Sequence, residues 1–121
     1  MAMHATLRYC RMSARKLRLA ADTIRGKRYE EAANILTFLP KKKAATILLK
    51  LLRSAAANVE ETTDFDPDEL IVRKVFVDGA RMLKRFRPAP MGRALRVRKR
   101  LSHVTIELGP NVEEKEAKAR R

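Results

Sequence analysis

Residues 82–100, MLKRFRPAPMGRALRVRKR, constrain the fold of this chain more than any other segment. These nineteen residues include eight lysines and arginines and no acidic residue. Like charges repel along such a segment, so it is not expected to be stable by itself. Arginine outnumbers lysine in it, which suits bidentate contacts with phosphate. We therefore expect the segment to be held by a polyanion.

The composition of the whole chain points to the same kind of partner. The 121 residues carry a formal net charge of +14, and self-repulsion at that charge opposes compaction unless a polyanion is bound. Cys10 is the only cysteine, so no internal disulfide can form. The sequence has neither the apolar run of a signal peptide nor that of a membrane span. We expect a cytoplasmic protein whose residues 1–110 form a single domain and whose charged tail, residues 111–121, is disordered.

Apolar residues at helical spacing predict three helices. The first is expected to run from Ser13, a candidate N-cap, to Arg25, with Gly26 ending it. The second, YEEAANILTFLP, has two glutamates in its first turn, where the helix dipole favours negative charge. The third is expected to open at Pro40 and to be the central core helix. Its predicted buried face is Ala44, Leu48, Leu51, Leu52, Ala55 and Val59.

Three other segments are rich in residues that favour strands. Residues 5–10 and residues 100–108 alternate apolar and polar side chains, and residues 70–78 supply isoleucine, valine and phenylalanine. The two later strands, joined by the basic segment, predict an antiparallel hairpin that pairs with the first strand. The predicted fold class is therefore α+β: three helices packed on a small antiparallel three-stranded sheet, with a long protruding basic β-hairpin over about residues 79–103.

The last strand predicts where the hairpin leaves the core. Apolar residues share one parity, and arginines occupy the same parity nearer the tip: Val104, Ile106 and Leu108, then Arg96, Arg98 and Arg100. Side chains of one parity lie on one face, so this face leaves the core near the tip, unless a bulge near Leu101 rotates the strand. At about ten residues per strand and about 3.4 Å each, the ribbon projects about 30 Å. Prolines at the tip predict that pairing ends by Arg87.

A second basic feature lies on the first predicted helix. Arg11, Arg15, Arg18 and Arg25 recur at offsets of four, three and seven, which places them on one stripe roughly opposite the apolar face. One interpretation is an ordinary solvated helix face. The alternative, favoured by the basic hairpin, is that the stripe contacts the same polyanion.

The sequence gives little support to an enzyme. Cys10 and the two histidines are too few and too scattered for a standard zinc site, and there is no glycine-rich phosphate loop. The acidic loop from Glu61 to Glu69 has five carboxylates, but it lacks the glycine and terminal glutamate of a calcium loop. We expect a solvated turn there, and neither a cofactor nor catalysis.

Four segments, in order, resemble the L-twenty-two family of bacterial-type large-subunit ribosomal proteins. They are MSARKLRLAADTIRGK, KKAATILLKLLRSAAANVE, LIVRKVFVD and LKRFRPAPMGRALRVRKRLSHVTIEL. The resemblance as a whole covers about Leu7 to Leu108. The last is the most specific, because ten of its residues fill the places of the family's hairpin pattern: Lys84, Arg85, Pro88, Gly92, Arg93, Ala94, Lys99, Arg100, Ser102 and His103.

The resemblance implies a structural constituent of the large ribosomal subunit that binds large-subunit (23S-type) rRNA and supports early assembly. It also implies that the hairpin tip helps form the wall of the nascent-peptide exit tunnel, near the macrolide site. The implied partners are this rRNA, neighbouring ribosomal proteins including the L-four family member, and the nascent peptide, with no membrane and no homo-oligomer. The residues expected to bind rRNA are Arg11, Arg15, Lys16, Arg18, Arg25, Lys84, Arg85, Arg93, Arg96, Arg98, Lys99, Arg100 and His103.

The predicted tip departs from the family pattern. It comprises Phe86, Arg87, Pro88, Ala89, Pro90, Met91 and Gly92. Family members usually have Pro-Arg-Ala where this sequence has Pro88, Ala89 and Pro90, and Arg87 is the candidate substitute for the missing arginine. Phe86 is expected either to stack on a base or fill a crevice of the partner, or to join a small apolar cluster within the tip.

Two other functions fit parts of the sequence. A helical body with a basic β-arm and a proline at its tip is also typical of architectural proteins that kink duplex DNA, although these normally use two arms from a dimer. The third hypothesis is an RNA chaperone that acts off the ribosome. Equal binding to any duplex DNA favours the architectural DNA-binding protein. Transient binding to unrelated single strands favours the RNA chaperone.

Overall fold

The computed structural model describes residues 4–62 and 69–110. A three-stranded antiparallel sheet with the strand order β1-β3-β2 packs against three helices, which confirms the predicted α+β fold. The predicted disordered tail and most of the acidic loop lie outside the described residues. The elements are β1 (His4–Cys10), α1 (Ala14–Ile24), α2 (Tyr29–Phe38), α3 (Lys42–Thr62), β2 (Leu70–Pro88) and β3 (Ala94–Pro110), and Pro90–Gly92 form a short 3-10 turn between the last two strands.

The helices begin and end close to the predicted start and stop residues, with one exception. Ser13 precedes α1 in an extended conformation, but its hydroxyl makes no capping hydrogen bond, and Gly26 follows the helix with a left-handed φ of 78°. The prediction that Pro40 opens the third helix is wrong, because α3 begins at Lys42. The Lys41 carbonyl accepts the first helical hydrogen bond from the Ala45 N–H, so the proline lies just before the helix.

The core lies between the helices and one face of the sheet. All six residues predicted for the inner face of α3 are buried. Leu17 and Ile24 of α1 meet them, and Val104 and Ile106 of β3 cover them from the sheet. Asn58 ties α3 to β1, since its side-chain amide donates to the His4 carbonyl at 3.0 Å. None of the helices in the described part of the chain is long and apolar enough to cross a membrane.

The outer edge of β2 is covered where it passes the helices. The Gly26 N–H donates to the Val72 carbonyl, and the Val72 N–H donates to the Lys27 carbonyl. Further along, the guanidinium of Arg25 donates to the Val75 carbonyl at 2.8 Å, and that of Arg18 donates to the Val77 carbonyl. An uncovered strand edge exposes a row of unpaired backbone groups, so these contacts protect the sheet from edge-to-edge pairing.

Beyond Val77 the hairpin leaves the helices, and a bulge marks the boundary. Gly79 pairs with Ser102 and Met82 pairs with Arg100. Between these two pairs β2 has two residues and β3 has one, which is the extra residue of a β-bulge. The bulge therefore lies opposite Leu101, on β2 rather than on β3. We call residues 82–100 the arm and the other described residues the body.

Pairing within the arm extends further than predicted. Seven cross-strand pairs run from Met82 and Arg100 to Pro88 and Ala94, so the expectation that pairing ends by Arg87 is wrong. The Ala89 N–H donates to the Arg93 carbonyl at 2.7 Å, which makes the preceding pair a non-hydrogen-bonded one. Pro88 can occupy such a position because an N–H there would point away from the partner strand.

Candidate nucleic-acid interface

The arm presents basic side chains on both of its faces. Residues directly opposite in a ladder share a face, and successive pairs alternate between the two faces. Each of the six pairs from Met82 and Arg100 to Arg87 and Leu95 has at least one lysine or arginine. No carboxylate in the described part of the chain pairs with any of them. The arm is therefore a ribbon that can accept anions from two sides.

The two faces of the arm differ in the side chains that accompany the charge. Phe86 lies opposite Arg96, and together with Met82, Lys84 and other residues they line a groove of about 410 Å³. On this face Lys84 lies directly opposite Arg98. Like charges opposite each other destabilise a sheet pair, so an anion that binds between the two groups would relieve their repulsion. The other face alternates arginine or lysine with leucine and valine.

The tip turns the chain with two left-handed residues. Met91 has a φ of 63° and Gly92 a φ of 69°, between the extended Ala89 and the start of β3. Left-handed backbone is rare for methionine, so the turn imposes it. Phe86 is 67% exposed and Met91 is 95% exposed, which rules out an apolar cluster between them within the free tip. Both side chains are open to contact by a partner.

A basic cleft lies where the arm joins the body. It has a volume of about 640 Å³, and we call it the root cleft. Seven of its lining residues are basic and none is acidic. The body contributes Arg11, Lys16 and Lys43 to it, and the arm contributes Arg85, Arg98, Lys99 and Arg100.

The lysines at the start of α3 extend the charge of the root cleft. A second cavity of about 350 Å³ shares Lys16 and Lys43 with it and adds Lys41 and Lys42. The N-terminus of a helix carries a partial positive charge, and the first turn of α3 has no acidic residue to offset it. The side of the body that faces the arm is therefore continuously positive.

This arrangement can bind phosphate groups but does not show the chemistry of a reaction. Guanidinium groups form paired hydrogen bonds with phosphate oxygens, and ammonium groups act as compact positive charges. Burial raises the pKa of the Cys10 thiol, while the charge of Lys43 partly offsets this, so the thiol stays protonated and is a poor nucleophile. Residues 4–62 and 69–110 contain no group of three or more side chains placed to hold a metal ion.

The root cleft brings together six of the thirteen residues expected to bind rRNA. Arg11 and Lys16 meet the arm in the root cleft. Arg15 is exposed on α1, outside that cleft, and Arg93 lies between the tip and β3. His103 lies on β3 in the body, where it contacts Tyr9.

Arg18 and Arg25 have contacts that the predicted stripe did not include. Their guanidinium groups donate to carbonyls of β2, so they lie at the margin between helix and sheet rather than opposite the packed face. Helical spacing fixes the angle of a side chain around its axis, but it does not show how far a long arginine reaches towards a neighbouring strand. The guanidinium of Arg25 also donates to the Asp22 carboxylate at 2.6 Å.

Sequence reasoning missed Lys43 and Tyr9. Lys43 is not among the residues expected to bind rRNA, but it lines the root cleft. Only knowledge of where the arm joins the body could have identified it. Tyr9 was assigned to the alternating pattern of β1, but its backbone is left-handed and its ring is exposed. No periodic pattern predicts such a conformation.

The fold and this interface define a class of protein whose extended basic arm is suited to contact with a polyanion. The chain belongs to the family described as ribosomal protein L22p/L17e, which matches residues 5–109. This confirms the resemblance carried by the four segments. The chain is thus a ribosomal protein and not an enzyme, and rRNA binding and a role in translation are general properties of its family.

Individual relatives are similar over most of their length. The chain is 53% identical over 107 residues to the large ribosomal subunit protein uL22 of Rubrobacter xylanophilus, which covers 88% of the chain and 84% of the relative. It is 50% identical over 104 residues to the uL22 protein of Trichlorobacter lovleyi, covering 86% and 91%. The uL22 protein of Crocosphaera subtropica is 46% identical over 110 residues, which covers 91% of each chain.

Proposed function

We propose that the chain is a structural constituent of the large subunit of the cytoplasmic ribosome, in which the arm and the root cleft bind large-subunit rRNA. The charge of the arm carries this proposal: six successive cross-strand pairs each hold a lysine or arginine, and residues 82–100 have no acid. Membership of a ribosomal protein family supports RNA, rather than another polyanion, as the partner.

The arm needs RNA for its own stability. A two-stranded ribbon is only marginally stable in water, and no helix within residues 4–62 and 69–110 covers either face of this one. Repulsion between Lys84 and Arg98 weakens it further. Phosphates neutralise these charges and release condensed counterions, which favours binding. We infer that the arm becomes fully ordered on the rRNA, and this supports binding at an early stage of assembly, before the surrounding RNA has closed.

The root cleft connects RNA bound by the body with RNA bound by the arm. A phosphate between Lys43 of α3 and Arg98 of the arm can contact both regions at once, because both side chains line the same cavity. Binding there fixes the direction in which the arm leaves the body. β2 and β3 run from one region into the other, and we therefore treat residues 1–110 as one domain.

We assign the tip to the wall of the nascent-peptide exit tunnel, near the macrolide site. The tip lies at the end of the arm farthest from the body, and its resemblance to the hairpin of the family supports this position. Phe86 and Met91 expose apolar surface that a passing peptide can contact, and Arg87 offers a charge one place before the proline. The nascent peptide and a neighbouring protein of the L-four family are the partners proposed there.

Co-sedimentation of the tagged protein from a cell lysate tests this function. We expect the intact chain to sediment with the large subunit through a sucrose gradient. A chain that lacks residues 82–100 is expected to be washed off at a lower salt concentration than the intact chain. A matched control carries Lys50→Gln and Arg53→Gln on the exposed side of α3, outside the root cleft, and is expected to remain bound. Sedimentation of the intact chain with nucleoid DNA instead supports the architectural DNA-binding hypothesis. Recovery only in the light fractions supports the chaperone.

A further inference from the structure

Tyr9 is an exposed aromatic residue with an unusual backbone. Its φ is +56°, and it lies at the irregularity where β1 shifts register against β3, between the pairs of Leu7 and Cys10. Tyr9 is 55% exposed, although Leu7 and Cys10, the paired residues on either side of the irregularity, both pack on the core. A left-handed conformation is costly for a bulky residue, and the energy for it must come from surrounding contacts.

Two contacts with His103 hold Tyr9 in this position. The Tyr9 backbone N–H donates to His103 Nδ1 at 3.1 Å, so the neutral imidazole carries its proton on Nε2. The two rings meet edge to face, with centroids 4.8 Å apart and planes at 82°. Backbone and ring are thus restrained by the same residue, which fixes the orientation of an exposed aromatic face.

Core packing does not explain this arrangement. His103 has the outward parity of β3, as does Thr105, whose hydroxyl bonds with that of Thr6 across the strands. Tyr9 therefore lies on the side of the sheet that faces away from the helices, where it fills no cavity of the core. Backbone strain that provides no burial is characteristic of sites that contact a partner.

The charges around Tyr9 favour a nucleic-acid partner. Arg8 and Arg11 are both exposed and flank it in the sequence. Arg11 also lines the root cleft, so Tyr9 lies within two residues of a surface assigned to RNA phosphates. An aromatic ring beside basic groups is the combination that binds unpaired nucleotides: the charges hold the backbone while a base stacks on the ring.

We propose that Tyr9, positioned by His103, is a stacking platform for an unpaired base of the RNA strand whose phosphates occupy the root cleft. This inference rests on the proposed rRNA binding and adds a contact to base rather than phosphate. Stacking accepts any base, since every base has an aromatic face, so the platform contributes affinity with little sequence preference. Tyr9 contacts the base, and His103 is a positioning residue.

Tyrosine fluorescence gives a direct test, because the chain has no tryptophan and only two tyrosines, Tyr9 and Tyr29. In a Tyr29→Phe background every tyrosine signal comes from Tyr9. We expect a ten-nucleotide oligoadenylate to quench this signal, and an abasic phosphodiester of the same length to leave it unchanged. Equal quenching by both oligomers would overturn the proposal, because it would show that phosphate binding alone accounts for the change.

Affinity for the same oligoadenylate provides the second readout. Tyr9→Ala is expected to weaken binding about 5- to 150-fold, the range that corresponds to one stacked base, while Tyr9→Phe keeps most of the affinity. Phe38→Ala is the matched control, since Phe38 is an exposed aromatic on α2, away from the root cleft, and its loss is expected to change nothing. Circular dichroism checks that each variant is folded.

The role of His103 is tested in the Tyr29→Phe background. His103→Ala is expected to reduce quenching by oligoadenylate without changing the circular dichroism spectrum, because the ring is then free to rotate. His103→Gln, whose side-chain carbonyl can accept the Tyr9 N–H, is expected to restore part of the quenching. Undiminished quenching in His103→Ala would contradict the positioning role.

The outcomes separate this inference from the proposed function. If the intact chain binds a large-subunit rRNA transcript and Tyr9→Ala binds oligoadenylate as tightly as the parent, only the stacking platform is wrong. A protein partner would then be the better explanation for the exposed ring. If the intact chain does not bind the transcript at all, the proposed function itself fails.

Discussion

The body and the arm are built on the same two strands, but they differ in what stabilises those strands. In the body, the pairs Val75 with Ile106 and Val77 with Val104 are buried against helices. In the arm, the corresponding ladder pairs carry arginine and lysine in water. Apolar burial stabilises the first region by itself, at about 25 cal/mol per Å² removed from water. The second lacks such burial, and we propose that its stability depends on a partner of opposite charge.

The bulge between Gly79 and Met82 lies at the boundary between the buried strands of the body and the solvated strands of the arm. Ser102 is the last buried residue of β3 before the arm, and its hydroxyl donates to the Met12 carbonyl at 2.6 Å. On the arm side, the next residue of the same parity is Arg100, which is exposed. A single continuous strand can thus serve both as core and as ligand-binding surface, and only its side chains change.

Removal of the arm is expected to have the largest effect. A chain that lacks residues 82–100, with Arg81 and Leu101 joined through an Asn-Gly turn, should keep the thermal stability of the body because no core residue is lost. Its affinity for a large-subunit rRNA transcript should fall roughly a thousandfold or more at low salt, since the deletion removes eight cations. Filter binding and thermal melting measure the two effects.

The salt dependence of binding sharpens this result. For the intact chain, affinity should fall steeply as salt rises, whereas the deleted chain should show a much flatter response. Equal slopes for the two chains would mean that the arm does not contact phosphates. A large fall in melting temperature on deletion would mean that body and arm are not separable in stability.

The same substitution in the two regions is expected to give the next largest difference. Leu52→Ala removes a fully buried side chain of α3 and should lower the free energy of unfolding by about 2–5 kcal/mol. Leu95→Ala removes a side chain of the arm that is 59% exposed, and should change it by less than about 0.5 kcal/mol. Urea unfolding of the free protein measures both. Similar losses in the two variants would contradict the contrast between buried body and solvated arm.

A smaller effect is expected at the root cleft, where the two regions meet. Lys43→Gln should lower the affinity for the rRNA transcript and reduce the slope of log affinity against log salt by about one phosphate contact. Lys50→Gln on the same helix is the matched control, because Lys50 is exposed but lies outside the cleft. If the two variants bind alike, the cleft does not hold RNA.

The smallest effect is expected at the buried hydroxyl beside the bulge. Ser102→Ala removes the hydrogen bond to Met12 and should lower the free energy of unfolding by about 1 kcal/mol, with little change in rRNA affinity. Thermal melting and filter binding of one preparation measure both quantities. A large loss of affinity without a loss of stability would show that the bulge region itself contacts RNA.

The sequence predicted the elements of the fold better than the junctions between them. Leu48, Leu52 and Val59 recur at helical spacing, and this periodicity was enough to identify the buried face of α3. The start of that helix was misplaced because Pro40 fits either the first turn or the residue before it. A bulge near Leu101 was only the alternative to a continuous last strand. The extra residue lies on β2, opposite Leu101, so it leaves no mark in the alternation of β3.

The candidate interface was predicted in part for a similar reason. The arm can be identified from the sequence directly, because its lysines and arginines follow one another along the chain with no acidic residue among them. The root cleft combines Arg11, Lys43 and Arg98, which are far apart along the chain and meet only through the packing of the sheet on the helices. Tyr9 depends on a left-handed backbone that propensity does not indicate. Such tertiary features cannot be read from local pattern alone.

Hydrogen exchange of the backbone amides tests most directly whether the arm depends on rRNA for its order. Exchange should be measured by mass spectrometry on the free chain and on the chain within large ribosomal subunits. Amides of the body, such as those of α3, should be protected in both states, whereas amides of residues 82–100 should exchange rapidly in the free chain and slowly in the subunit. Slow exchange of the arm in the free chain, or rapid exchange in the subunit, would contradict this dependence.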